Sequence, residues 1–176
     1  MRLFIATELP DDVAEALAET SALLRGCVRG RYTSPDSFHI TLAFLGNVGS
    51  ERLGPLIDSV EEGCDGFAPF NVSLGELGSF GRRSSATLWQ GFRNTGLLPE
   101  LAASIREVLQ EADFDFDAKS FLPHVTLMRA ADIRTGNLPM PAFAQGTVER
   151  VSLYKSDLSG SRPVYEPLHT VNLAKH

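Results

Sequence analysis

Phe38-His39-Ile40-Thr41-Leu42-Ala43-Phe44 and, 85 residues later, Pro123-His124-Val125-Thr126-Leu127-Met128-Arg129 carry one pattern twice: a histidine and a threonine two positions apart in an apolar run. In a strand, residues i and i+2 share a face. Each copy therefore presents an imidazole beside a hydroxyl, with hydrophobic residues behind them. The surroundings of the two copies also correspond. A strand is predicted over Arg2 to Thr7, then a helix opened by Leu9-Pro10-Asp11-Asp12, where Asp12 and Glu15 fit a capping box, ending around 26–30. His39 follows Arg2 by 37 positions. In the second half, a strand over Ala86 to Phe92 and a helix over Leu97 to Leu109 precede the histidine, and His124 follows Thr87 by the same 37.

The remaining segments fill in around this frame. The first motif strand, Phe38 to Leu45, stops at Gly46-Asn47. Ser50 is placed to cap a helix carrying Leu53, Leu56, Ile57 and Val60, and Asn71 to Leu77 reads as a strand. The second motif strand covers Phe121 to Met128. Gly136, Pro139 and Pro141 make 133–144 a loop, and strands Thr147 to Tyr154 and Val164 to Leu173 flank a hairpin turn at Ser159-Gly160-Ser161. The expectation is an α+β protein, one domain over 1–176. It would consist of two related lobes, each a small mixed or antiparallel sheet with helices on its outer face, meeting at a central cleft.

Bulk properties narrow the function classes. The chain has 176 residues, 43% hydrophobic and 22% charged, with net charge −6. Without a global basic field, a module that grips long duplex by its backbone is disfavoured, whereas an enzyme that takes one nucleic-acid end needs only a few local arginines. Cys27 and Cys64 have no metal-like spacing and fit a reducing, cytoplasmic compartment. The opening MRLFIATEL is too short for a signal peptide and reads as a buried strand; no stretch approaches membrane-span length.

Two histidines in matched contexts suit acid–base chemistry on a phosphate. Histidine titrates near neutrality, so one imidazole can take a proton while the other gives one. Standing on opposite sides of a phosphate, they would serve an in-line displacement. Thr41 and Thr126 would donate hydrogen bonds to the non-bridging oxygens, where charge grows. Neither histidine has the spacing of a zinc motif; a third ligand would have to come from His169, His176 or a distant carboxylate, so no metal is expected. His169 reads as structural. Arg129 is placed for a bidentate phosphate contact provided the strand ends or bulges near Met128, because strict alternation would turn it away from His124. Arg82 and Arg83, in a turn after Gly81, offer one further contact. Arg25, Arg29, Arg31 and Tyr32 form a basic patch suited to a polynucleotide backbone, and Phe44 and Phe121 are candidates to wall the cleft or stack on a base.

The two motifs, with RLFIATELP, HITLAFLG, SFGRRSSATLW, PHVTLMR and LYKSDLSGSRPVYEPL, make the chain resemble the 2H phosphoesterase superfamily, and within it the RNA 2',3'-cyclic phosphodiesterases, also called 2'-5' RNA ligases. In this subgroup the first copy continues to a phenylalanine and the second to an arginine, as at Phe44 and Arg129. The resemblance implies a bilobal fold with a pseudo-twofold axis and a cleft site. It also implies cofactor-free hydrolysis of an RNA 2',3'-cyclic phosphate end, tRNA fragments among the partners, to a 2'-phosphomonoester. On that reading His39 is the general acid and His124 the general base, with reversible 2'-5' ligation as a side activity. The expected state is a monomer. The alternatives are an RNA-end binding protein without turnover, and a phosphodiesterase of a small cyclic nucleotide or ADP-ribose cyclic phosphate.

Overall fold

The computed structural model describes residues 1–174; His176 lies outside them. Leu3 to Thr7 are all buried, the pattern of a strand covered on both faces, and β1 (Arg2–Thr7) is an inner strand of its sheet. Next along the chain are α1 (Asp11–Arg25), β2 (Arg29–Tyr32), β3 (Ile40–Asn47), α2 (Leu53–Cys64), β4 (Phe70–Phe80) and β5 (Ala86–Asn94). Then come α3 (Leu98–Glu111), β6 (His124–Asp132), β7 (Gln145–Val148), β8 (Arg150–Asp157) and β9 (Val164–Asn172). They build two sheets, ordered β3-β1-β8-β9 and β2-β6-β5-β4-β7. All the strand pairings are antiparallel. The expected α+β, two-lobed architecture is present.

Several local expectations are corrected. Asp12 and Glu15 form no capping box: Pro10 precedes α1, and no side chain caps that end. Ser50 caps nothing either, since Ser50–Arg52 is a 3-10 turn leading into α2. Arg29–Tyr32, expected only as a basic patch, is a strand; its burial is nearly nil, so it carries no hydrophobic alternation to reveal it. The strand expected over 147–154 is two strands in different sheets. Exposed Glu149 and Arg150 break the alternation, β7 pairs with β4, and β8 pairs with β1.

The sequence halves do not map onto the lobes. The four-stranded sheet takes β8 and β9 from the end of the chain, and the five-stranded sheet takes β2 from its beginning. The helices cross as well. α1 follows a strand of the first sheet yet packs against β2 and β7 of the second; α3 follows β5 of the second yet packs on β3 of the first, beside α2. Buried residues of both sheets and all three helices, among them Leu3, Leu17, Val60, Leu88, Ile105 and Val125, form one contiguous core.

Candidate active site

Both histidine motifs contain a β-bulge at the same place. Against β1, Ala6 pairs with Thr41 and Ile5 with Ala43, which leaves Leu42 extra. Against β5, Trp89 pairs with Thr126 and Leu88 with Met128, which leaves Leu127 extra. A bulge inverts the inside–outside parity of the residues beyond it. Leu42 with Ala43, and Leu127 with Met128, are consequently consecutive buried residues. The bulge carbonyls are satisfied from outside the ladder: the Arg106 Nε donates to Leu42 (2.9 Å) and the Thr33 N–H donates to Leu127 (2.9 Å). The bulge near Met128 that Arg129 requires is therefore present, and Arg129 lines the same cavity as His124 and Thr126.

The two imidazoles are held alike. Nδ1 of His39 lies 2.7 Å from the Ser37 carbonyl, and Nδ1 of His124 lies 2.6 Å from the Leu122 carbonyl. A carbonyl oxygen only accepts, so each Nδ1 is the donor, and each neutral ring keeps its lone pair on Nε2. Each ring is also wedged between two aromatics. His39 has Phe4 at 4.8 Å and Tyr165 at 5.3 Å; His124 has Trp89 at 5.7 Å and Phe80 at 5.3 Å, centroid to centroid. The 85-residue interval between the histidines also separates Phe4 from Trp89 and Phe80 from Tyr165. That arithmetic was available in the sequence and would have found all four aromatics.

Burial is the main reason both histidines titrate below their ordinary value. For His39, the bond to Ser37 opposes that shift, while the charges of Arg129 and His124 add to it. For His124, the Leu122 carbonyl opposes and Arg129 adds. His39 is the more deeply enclosed of the pair.

The cavity between the sheets has a volume of about 470 Å³, within the usual range of small-molecule sites. It brings together His39, Thr41, His124, Thr126, Arg129 and Tyr32. Tyr32 gives it a ring wall, since its hydroxyl is engaged with the Leu24 and Val28 carbonyls and Arg25 sits 4.9 Å from its ring centroid. Four expected contacts lie elsewhere. Phe44 is covered by the Arg2 guanidinium, 4.6 Å from its ring centroid, and Phe121 sits beside Arg106. The Arg82 carbonyl accepts the Ser85 N–H in its hairpin turn, and the Arg83 guanidinium donates to the Ile133 carbonyl at 2.9 Å. Neither arginine is on the cavity wall, and the Arg83 side chain is tied to the 133–136 loop. The wall also includes Arg25, Arg31 and, on the β8–β9 turn, Arg162 with Ser161 and Pro163. Arg162 lies in the segment LYKSDLSGSRPVYEPL that carries part of the resemblance, but nothing in that segment marks this arginine for the cleft, and only the folded hairpin carries it there. Among the described residues no group of three His, Cys, Asp or Glu side chains is placed to hold a metal.

A two-sheet fold with paired histidine strands facing one cleft is the architecture of a phosphoesterase class, and comparison with known proteins identifies it. Residues 8–89 match the LigT like Phosphoesterase family. An RNA 2',3'-cyclic phosphodiesterase of Archaeoglobus fulgidus is 32% identical over 176 residues, covering 96% of this chain and 98% of that protein. Among solved structures, TT0787 of Thermus thermophilus superposes with a TM-score of 0.87 at 28% identity, covering 99% of each chain. Escherichia coli LigT complexed with 3'-AMP gives 0.84 at 29%, covering 99% of this chain and 98% of that one. The chain belongs to the LigT-like phosphoesterases of the 2H superfamily. It is an enzyme of the phosphodiesterase class.

Proposed function

We propose that this protein hydrolyses the 2',3'-cyclic phosphate at an RNA end to a 2'-phosphomonoester, using His39 and His124 as the acid–base pair and no metal. The observation that carries the reading is the pair of imidazoles, each pinned through Nδ1 to its own strand with Nε2 left free, on the wall of one cavity with Thr41, Thr126 and Arg129. The relatives' names supply the substrate class.

In the reaction, His124 Nε2 takes a proton from water as the water oxygen attacks phosphorus. The P–O3' bond breaks, and O3' leaves with the proton held on His39 Nε2. His39 is taken as the acid and His124 as the base, because His124, the less enclosed of the two, is the better placed to meet water. Thr41 and Thr126 hydroxyls donate to the non-bridging oxygens, and Arg129 balances the charge growing there. If an RNA 5'-hydroxyl takes the place of water, the same steps form a 2'-5' phosphodiester, which gives the ligase side activity. A metal-free reading is supported by the donor set: among the described residues guanidiniums line the cavity and no carboxylate does, so a dication would be repelled. The site is complete within one chain, consistent with a monomer. Tying this to tRNA fragments requires only an end of that chemistry.

The test is incubation of the protein, with chelator present, with an oligoribonucleotide ending in a 2',3'-cyclic phosphate. A 2'-phosphate product is expected, and His39→Ala or His124→Ala should lower kcat by about 100- to 10,000-fold with the fold intact. Binding without turnover would leave the RNA-end binding reading. A 3'-phosphate product would reverse the leaving group, and loss of activity with chelator would end the metal-free mechanism.

A further inference from the structure

Among the described residues the cavity wall holds four arginines, Arg25, Arg31, Arg129 and Arg162, and no aspartate or glutamate, in a chain whose net charge is −6. Among the described residues none of the four belongs to an ion pair. Arg31 lies directly across the β2–β6 ladder from Arg129. Like charges directly opposite each other weaken a strand pair, so this juxtaposition costs stability in the empty protein. Arg25 extends the row, its guanidinium set over the Tyr32 ring. Arg162 faces them from the hairpin of the other sheet.

A cyclic phosphate is a diester and carries one negative charge. Arg129, beside both histidines, suffices to balance it. Three cations remain without a counter-charge. We propose that Arg31, Arg25 and Arg162 form a clamp across the two sheets for the internucleotide phosphates upstream of the reacting end, so that the enzyme selects an oligoribonucleotide over a single nucleoside cyclic phosphate. This rests on the phosphodiesterase reading above and adds a second, non-reacting subsite to it. Gly30 builds the clamp into the fold: a Cβ there would lie 2.9 Å from the Ala130 carbonyl oxygen, and its absence lets β2 lie close enough to β6 to carry Arg31 to the cavity edge.

The experiment compares a nucleoside 2',3'-cyclic phosphate with a tetranucleotide bearing the same end, at low and high salt. The expected kcat/KM ratio favours the tetranucleotide by at least about tenfold at low salt and shrinks as salt rises. Binding of the 2'-phosphorylated tetranucleotide, read by fluorescence anisotropy, is measured alongside. Each phosphate contact on a single strand contributes about 0.7 to the slope of log affinity against log salt. Arg31→Gln and Arg162→Gln should each flatten that slope by about this amount and lower the tetranucleotide-to-nucleoside ratio, whereas Arg31→Lys keeps most of the slope. Arg93→Gln, on the exposed pair with Glu76, serves as a control that changes neither readout. Equal kcat/KM for the two substrates, or Gln variants that leave the slope unchanged, would overturn the clamp and leave the phosphodiesterase standing. Steep, arginine-dependent binding with no turnover of either substrate would uphold the clamp and overturn the phosphodiesterase reading.

Discussion

His39 and His124 differ less in what they touch than in how deeply they sit, and that difference is measurable. Burial and the Arg129 charge hold both below the ordinary histidine value of 6.5. Catalysis by the pair needs one ring protonated and one neutral. Raising the pH through both lowered pKa values strips the acid, so kcat/KM should peak below pH 6.5 and fall across neutrality. Bound phosphate favours imidazolium, so the kcat profile should lie to higher pH than that of kcat/KM. A kcat/KM that rises between pH 7 and 9 would contradict this. Trp89 is the sole tryptophan and its ring centroid lies 5.7 Å from that of His124, which gives a direct probe. Its emission should be quenched as acidification charges His124, with a midpoint below 6.5. Arg129→Gln should move that midpoint up, and His124→Ala should abolish the transition. The same shifts bear on stability. Below pH 6.5 the unfolded chain takes up protons that the folded one resists, so stability declines on acidification from there until the folded pKa values are passed.

At the level of the element, the strands themselves were legible and their bulges were not. The apolar and β-branched runs of β3 and β6 predicted strands in nearly the observed places. The need to turn Arg129 toward His124 hinted at a bulge near Met128. Phe44, at the same offset from His39, would have called for a matching bulge at Leu42; that bulge is present, yet Phe44 does not reach the cavity. A bulge is a relation between two strands, and one strand's periodicity does not contain it. β4 and β5 show the same dependence on a neighbour. Gly78 lies opposite Trp89, and a Cβ there would come within 2.2 Å of the indole. Glycine at 78 lets the indole lie across β4 and support the His124 ring. Gly78→Val should displace Trp89, shift its emission to the red and lower kcat by about tenfold or more, since positioning sets the rate, with a smaller effect on the far-UV spectrum. An unshifted emission maximum with full activity would show that the indole takes its place without that gap.

Across the whole molecule, the chain crosses between lobes more than the repeat suggests. β1 is an inner strand whose partners are β3 and β8, and β8 lies beyond residue 149. Fragments 1–85 and 86–176 should therefore fail to fold separately, because the first exposes both the unpaired edge of β1 and the underside of α1. The intact chain should unfold in a single cooperative transition, with calorimetric and van't Hoff enthalpies in agreement. A fragment showing its own sharp unfolding would refute the one-domain reading. The α+β class, the hairpin at 159–161 and the four central residues were set by the sequence, because alternation, turn residues and i, i+2 spacing are local properties of the chain. The tertiary structure alone decided which strand joins which sheet, which arginines reach the cleft and which ring nitrogen is free. Those depend on partners distant in sequence: β8 beside β1, Arg162 across from Arg31, and a carbonyl held against each Nδ1.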